Sequence, residues 1–290
     1  MKILIIGGNR FFGKRLAKLV QDGGHTLTLL NRGNLTDDLG DNVERLICDR
    51  DDSKKLKKIV ENRYWDIIYD QVCFDYQQAK NACGIFKTGK YIFISSQSVY
   101  GPKGNIIEND FNAKNSNVEK IKTSTEDYAE AKRQAEYAFQ KFASFPTISV
   151  RFPIVQGIDD YTNRLRFHVN KITNEEELYF PNLKAKISFI RSSFAARVLL
   201  EMGKNDFTGP INVASPEPIE IEKLISMIES IVSKKAIFSK NKTKENSSPY
   251  GISADWYMNC EKLISLEPSL NIEDEKIENW LPEIIQECLI

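Results

Sequence analysis

The feature that most restricts this chain stands at its start: a short apolar run, Ile3–Ile6, that ends at once in Gly7-Gly8-Asn9-Arg10-Phe11-Phe12-Gly13. The run reads as a buried strand. Beyond the glycines, Phe12, Leu16, Leu19 and Val20 repeat at helical spacing until Gly23-Gly24 stop the pattern. A strand, a glycine-rich turn and a helix in that order leave few folds open. Gly7 allows a sharp turn, and Gly13 lets the helix pack close to the sheet. The helix N-terminus then points its N–H groups at an anion of the diphosphate type. A glycine pair alone says little; its position between strand and helix says much more.

The alternation continues. Thr26–Leu30 and Leu46–Cys48 predict strands two and three, and Leu56–Val60 the apolar side of a helix. Asp66–Tyr69 and Tyr91–Ser95 predict strands four and five, with a helix over Tyr76–Phe86 between them. Tyr128–Phe142 reads as a long amphipathic helix and Thr147–Phe152 as strand six. This rhythm predicts an α/β fold with a doubly wound parallel sheet of the Rossmann type. The strands are continuous apolar runs because both faces of such a sheet are covered. Past Gly157 the rhythm loosens. Arg164–Ile172, Ala195–Met202 and Glu220–Ile231 predict helices, Ile187–Ile190 and Ile211–Ala214 strands, and Lys234–Ser248 an exposed polar loop. The expected division is a dinucleotide-binding domain over 1–157 and a smaller, mainly substrate-binding region over 158–290. Segments near 187–214 are expected to return to the first domain.

Forty basic and 40 acidic side chains cancel, so no overall field draws nucleic acid or an anionic membrane. Five cysteines without CxxC spacing, and only two histidines, argue for buried reduced thiols and against a metal site or cysteine catalysis. Ile3–Ile6 is too short for the core of a secretory leader, and no apolar stretch approaches a membrane span. A cytoplasmic, soluble protein is expected.

Two further segments carry chemistry. After strand two, where an acid would hold the ribose hydroxyls of NAD, the chain has Asn31-Arg32. The planar guanidinium of Arg32 suits a 2′-phosphate, which predicts NADP, with NAD as the alternative. Strand five runs into Ser95-Ser96-Gln97-Ser98-Val99-Tyr100-Gly101, and Tyr128-Ala129-Glu130-Ala131-Lys132 follows inside a helix. The i, i+4 spacing stacks Tyr128 and Lys132 on one face. A nearby ammonium favours the phenolate and lowers the tyrosine pKa from about 10. The phenol can then exchange a proton with a substrate hydroxyl while hydride moves at the same carbon. Ser96, at the strand's carboxyl edge, would hold that hydroxyl or carbonyl.

In order, the glycine turn, the Ser96 strand end, the Tyr128–Lys132 helix and Arg151-Phe152-Pro153-Ile154-Val155-Gln156-Gly157 resemble the extended short-chain dehydrogenase/reductases, the NAD-dependent epimerase/dehydratase family. Phe189-Ile190 and Asn212-Val213-Ala214 are similar to its later markers, and the resemblance covers roughly residues 1–225. Arg10 departs from the family's middle glycine. A Gly-Gly-x-Arg-Phe-x-Gly turn resembles that of atypical members related to chloroplast stem-loop-binding proteins, and there Arg10 must swing outward, toward the adenosine ribose. The resemblance implies an NAD(P)-dependent oxidoreductase or epimerase acting on a hydroxyl/ketone of a nucleotide-sugar-like substrate. Ser96, Tyr128 and Lys132 would be catalytic. Gly7, Asn9, Arg10, Phe11, Phe12, Gly13, Asn31, Arg32, Asp49, Arg50, Tyr128 and Lys132 would meet the cofactor, with Asp49-Arg50 bordering the adenine.

Dehydratases of the family carry an Asp-Glu pair after the catalytic Ser or Thr; Gln97 and Ser98 stand here and cannot serve as carboxylate acid/base. The alternative reading is a non-catalytic nucleotide-sensing or RNA-binding protein on the same fold, with Lys234–Lys244 as its best feature and the neutral net charge against it. Only 17 residues lie between Cys73 and Tyr91, where extended members place a longer segment that pairs across a dimer. The Tyr128 helix offers mainly Ala131, Ala135 and Phe139 to such a partner. A monomer, or a dimer on a different surface, is expected.

Overall fold

Runs of β-branched and aromatic residues, punctuated by glycine and polar turns, become strands that alternate with helices. The computed structural model describes residues 1–116 and 118–289. Its first half contains β1 (Lys2–Ile6), α1 (Phe11–Asp22), β2 (Thr26–Asn31), β3 (Glu44–Ile47), α2 (Ser53–Ile59), β4 (Trp65–Asp70), α3 (Tyr76–Ile85) and β5 (Thr88–Ser96). Then come α4 (Tyr128–Phe142), β6 (Thr147–Phe152), β7 (Ile154–Gln156), α5 (Arg164–Thr173), β8 (Glu177–Leu178), β9 (Lys186–Ile187), β10 (Phe189–Arg191), α6 (Ser192–Lys204) and β11 (Gly209–Asn212). The remainder holds β12 (Ile219–Glu220), α7 (Ile221–Val232), β13 (Ile237–Phe238), α8 (Glu261–Leu266) and α9 (Ile277–Glu287).

Two compact units result. The first comprises residues 1–100, 108–152 and 193–213. Its centre is a parallel seven-stranded sheet in the order β11-β6-β5-β4-β1-β2-β3. The order reverses between β1 and β4, and in such sheets ligands bind outside the carboxyl ends of the strands at that switch point. Ile3, Leu4, Ile5 and Ile6 are all buried, as a central strand covered on both faces requires. Behind β4 and β5, Ile68, Tyr91 and Phe93 pack with Ala79 and Ala82 of α3 and Ala135, Ala138 and Phe139 of α4. Small residues on both helices let them approach closely, and Tyr76 stacks on Tyr137 at their outer seam.

The second unit comprises residues 101–107, 153–192 and 214–290. Its core joins Leu165, Val169 and Ile172 of α5, Leu224, Ile225 and Ile228 of α7, and Leu281 and Ile285 of α9. Ile187–Ile190 does not form one strand. β9 pairs with β12 and β10 with β7, and the break falls at Ser188, whose Oγ accepts the Met258 N–H at 3.0 Å. The 234–248 segment is more ordered than a plain loop. β13 pairs with β8, and buried Asn246 accepts from Thr243 N–H and donates to Asn241 O. Lys240, Lys242 and Lys244 remain exposed on it. Among the described residues no helix is long and apolar enough to cross a membrane.

His168 makes this unit acid-sensitive. Its buried ring stacks on Tyr250 at 4.5 Å and on Phe180 at 5.7 Å. Nδ1 lies 2.8 Å from Arg164 O and Nε2 2.7 Å from Ser248 Oγ, so the proton is assigned to Nδ1. Burial lowers its pKa to about 4. An unfolded chain takes up this proton near pH 6.5 and the folded one does not, so stability is complete above that pH and is lost as pH falls toward 4. The loss should reach about 3 kcal/mol. Urea unfolding at pH 7 and 4.5 should show this drop, and His168→Gln should show much less of it; equal drops in both proteins would contradict the assignment.

Candidate active site

The strands end level because of their register. Ile6 pairs with Leu30 of β2 and with Asp70 of β4, so Gly7 and Gln71 leave the sheet side by side, next to Asn31 at the end of β2. Gly7 N–H donates to Leu30 O at 2.9 Å and Gln71 N–H to Ile6 O at 3.1 Å. Gly7 turns at φ +98°, a conformation that favours glycine. At Gly13 a Cβ would lie 1.9 Å from Gln71 Oε1, so a side chain there would have to displace the Gln71 amide.

Arg10 has extended backbone (φ −137°, ψ 154°) and an exposed side chain. The left-handed conformation falls instead on Phe11, at φ +53°. Phe11 is buried and its ring lies 5.7 Å from that of Phe12, which meets Phe152 edge-on at 5.6 Å. Phe11 is packed inward and Phe12 is half-buried, so the backbone and the exposed Arg10 are what this turn chiefly offers a ligand. The N-terminus of α1 has no side-chain cap and no acid in its first turn. By contrast α2, α3 and α4 begin with Asp52, Asp75 and Asp127, whose carboxylates accept from backbone N–H groups. An uncapped helix start beside a glycine turn with positive φ at Gly7 and Gly8 fits the diphosphate of NAD.

The remaining cofactor candidates divide. Asn9 Nδ2 donates to Leu35 O, and Asn31 Oδ1 accepts from Gly33 N–H at 2.8 Å. Arg32 is exposed at this edge. Asp49 is exposed and accepts from Asp51 N–H. Arg50 points the other way: its Nη1 lies 2.7 and 2.9 Å from the two oxygens of buried Asp70, which also accepts from Tyr91 Oη at 2.5 Å. Its guanidinium is committed to the interior, which leaves Asp49 as the exposed member of that dipeptide.

At the end of β5, Ser96 Oγ accepts from Ser98 N–H at 3.1 Å and Ser98 Oγ at 2.9 Å. Tyr128 is the first residue of α4 and is 43% exposed. Lys132, one turn on, is only 2% exposed. Its Nζ donates to Cys73 O and Ile94 O, both at 2.7 Å, and lies 5.8 Å from the centroid of the Tyr128 ring. Phe74 and Phe93 also face the ammonium, at 4.8 and 4.9 Å. Burial lowers the Lys132 pKa to about 8. Gln97, where dehydratases carry an acid, is buried.

Sequence reasoning missed what anchors α4. Glu136 continues the Tyr128–Lys132 face at i+8 and accepts from Ser95 Oγ at 2.5 Å. It also accepts from Arg151 Nε at 2.9 Å and Nη2 at 2.6 Å. Arg151 is fully buried in β6 and donates further to Tyr100 Oη and Glu108 O. The helix is thereby tied to β5 at Ser95, next to Ser96. The available signal was a charge inside an otherwise apolar strand, Ser149-Val150-Arg151-Phe152. Among the described residues no cluster of His, Cys, Asp and Glu is built to hold a metal ion.

Comparison with known proteins follows this geometry. The chain matches the NAD dependent epimerase/dehydratase family over residues 3–214. Similar solved structures include the UDP-glucuronic acid 4-epimerase of Bacillus cereus, at 18% identity and TM-score 0.71, over 96% of this chain and 98% of that one. The UDP-glucose 4-epimerase of Thermotoga maritima superposes at 12% identity and TM-score 0.72, over 100% and 97%. The UDP-N-acetylglucosamine 4-epimerase of Methanobrevibacter ruminantium does so at 17% identity and TM-score 0.71, over 99% and 96%. At these identities the shared property is the fold. No curated protein matches the chain by sequence. The matched span holds the glycine turn, Ser96, Tyr128 and Lys132 together, and the chain belongs to the NAD dependent epimerase/dehydratase family, enzymes of the short-chain dehydrogenase/reductase type.

Proposed function

We propose that this enzyme is an NAD(P)-dependent epimerase or oxidoreductase acting on a secondary hydroxyl of a nucleotide-activated sugar through Ser96, Tyr128 and Lys132. The observation that carries the reading is the buried Lys132 ammonium, held by the Cys73 and Ile94 carbonyls 5.8 Å from the Tyr128 ring. Two of its three donors are engaged there, and the third can meet a ligand hydroxyl. Bound NAD(P) supplies hydride acceptance and return at the sugar carbon. Tyr128 Oη takes the hydroxyl proton as the carbinol becomes a carbonyl, and gives it back in the reverse step. Ser96 Oγ accepts both hydrogen bonds from Ser98, so its own proton is directed to the sugar oxygen. Residues 158–290, apart from the segments near 187–214 that return to the first unit, are assigned mainly to the sugar nucleotide. The similar structures named above are UDP-sugar 4-epimerases, which supports this substrate class. Incubation with UDP-glucose, UDP-glucuronic acid and UDP-N-acetylglucosamine, each with NAD⁺ or NADP⁺, should yield an epimer or a reduced nicotinamide in at least one arm. Unchanged sugars and cofactor in every arm would count against it.

NADP is the preferred form. Arg32 leaves β2 beside the glycine turn, exposed Arg10 lies on that turn, and no acid stands where a 2′-hydroxyl would be held. Arg32→Ala should weaken NADP⁺ binding roughly ten- to a hundredfold and leave NAD⁺ binding nearly unchanged. Titration of both cofactors decides it, and equal or tighter NAD⁺ binding by the unaltered protein would sink the preference. The 10-residue α3, which buries only Ala79 and Ala82, supports a monomer or a dimer on another surface.

A further inference from the structure

The segment after α7 departs from the neutrality of the whole chain. Residues 233–248 hold five lysines, Lys234, Lys235, Lys240, Lys242 and Lys244, against the single acid Glu245. Two large apolar side chains stand among them, Ile237 at 43% and Phe238 at 45% exposed. These two residues are β13, which pairs with β8 alone. The turn beyond β13 is firmly built. Ser239 N–H donates to Leu178 O, and Tyr179 N–H donates to Asn246 O at 2.8 Å. Inside the turn, Asn246 Oδ1 accepts from Thr243 N–H and Nδ2 donates to Asn241 O. Lys240, Lys242 and Lys244 are thus carried on an ordered support, and a partner that meets them need not order the backbone first.

Lysine often guards an exposed strand edge against pairing with another chain. Lys234 and Lys235, just before β13, answer to that description and are held internally. Lys234 Nζ donates to Thr173 O at 2.8 Å, and Lys235 Nζ lies 2.7 Å from Glu229. The other three lie beyond the strand, are exposed, and form no ion pair among the described residues. The exposed acids left near them are Glu245 and Glu177, which stands opposite Ile237 in β8. Unpaired ammonium groups beside exposed apolar side chains fit a partner that is anionic at its surface and apolar beneath. An acidic lipid bilayer has that profile. A nucleic acid strand fits less well, because it is held on aromatic or guanidinium planes. Residues 233–248 have no arginine and one aromatic, Phe238, whose ring already meets Phe180 edge-on at 6.3 Å.

We propose that this surface docks the protein on anionic lipid membranes, with Lys240, Lys242 and Lys244 at the headgroups and Ile237 and Phe238 entering the interface. Such contact is peripheral and reversible, since three lysines and two partly exposed side chains fall short of a permanent anchor. It needs neither a spanning helix nor a positive net charge. Salt screens charges more than about 10 Å away, so the local lysines decide the attraction. Docking of this kind is independent of the chemistry at Ser96, Tyr128 and Lys132.

The test is flotation of the full chain with vesicles of phosphatidylcholine, alone or with about one third phosphatidylglycerol, at low salt and at about 0.5 M salt. The protein should float with the anionic vesicles at low salt and not with the neutral ones. Each unpaired lysine is expected to contribute about fivefold, so Lys240→Gln, Lys242→Gln and Lys244→Gln together should weaken binding about a hundredfold. Lys234→Gln with Lys235→Gln should cost far less, because those charges are already paired. Ile237→Ser with Phe238→Ser should weaken binding about tenfold and leave the remainder salt-sensitive. No flotation, or equal flotation with neutral vesicles, overturns the docking surface. So does a loss as large in the Lys234 and Lys235 variant as in the triple variant. Self-association of the triple variant without lipid, seen by sedimentation and with lipid binding unchanged, would assign the lysines to guarding β13 instead. Retention of a single-stranded oligonucleotide by the unaltered protein, with no binding to either vesicle, would make the partner a nucleic acid and overturn the lipid assignment.

Discussion

Replacing Tyr128 with Phe is expected to lower turnover by at least about a hundredfold while leaving cofactor affinity and fold intact. The phenol stands at the first position of α4 and is half exposed, so the substitution removes one hydroxyl and little packing. The Asp127 cap that starts the helix accepts from Glu130 N–H and is untouched by it. Lys132→Met should separate the two roles of that turn. Without the ammonium the phenolate is harder to form, so the acidic limb of the pH–rate profile should move upward. In the unaltered enzyme the Lys132 pKa, lowered to about 8 by burial, keeps the ammonium charged below that pH and lets it discharge above. Steady-state rates across pH, with binding measured separately, check both outcomes. An unchanged rate in Tyr128→Phe would move the chemistry to another group.

Breaking the Glu136–Arg151 pair is the second large effect. Both side chains are at most 3% exposed, and the guanidinium meets the carboxylate through two hydrogen bonds. Glu136→Ala leaves an arginine buried without its counter-ion and should cost about 3–5 kcal/mol. It also strands Ser95 Oγ, whose acceptor is Glu136 Oε1. Glu136→Leu combined with Arg151→Met should recover much of that loss, because the interior then holds no unpaired charge. Urea midpoints of the single and double variants measure this. A loss below about 1 kcal/mol in Glu136→Ala would mean that the interior can solvate Arg151 by other means. Any recovery of stability in the double variant need not restore turnover, because the pair ties α4, and with it Tyr128 and Lys132, to the strand that ends in Ser96.

Much of this enzyme was legible before any coordinates. Parallel strands buried on both faces are apolar throughout, and the helices between them have one apolar side, so local periodicity marks β1, α4 and β6 within a residue or two. The same locality exposes the proposed site of the first unit. Gly7 and Gly13 sit six residues apart in one turn, and Tyr128 and Lys132 share a face by spacing alone.

Where the signal is not local, the sequence was silent. Arg32 and Arg50 look alike as strand-end arginines, yet one is exposed and the other turns inward onto buried Asp70, 20 residues on. Ile187–Ile190 looks like one strand because nothing local says that its halves find partners in β12 and β7. Ile277, Trp280, Leu281, Ile284 and Ile285 carry a helical pattern, but Pro282 interrupts it, and the core that accepts it comes from α5 and α7. Gln71, Glu136 and Arg151 are ordinary polar residues until the parallel register sets β4 beside β1 and β6 beside β5. Periodicity is written residue by residue, so the chain alone determined its elements and the spacing of its candidate site residues. Which polar side chain meets which is a property of register, and register exists only once the sheet has formed.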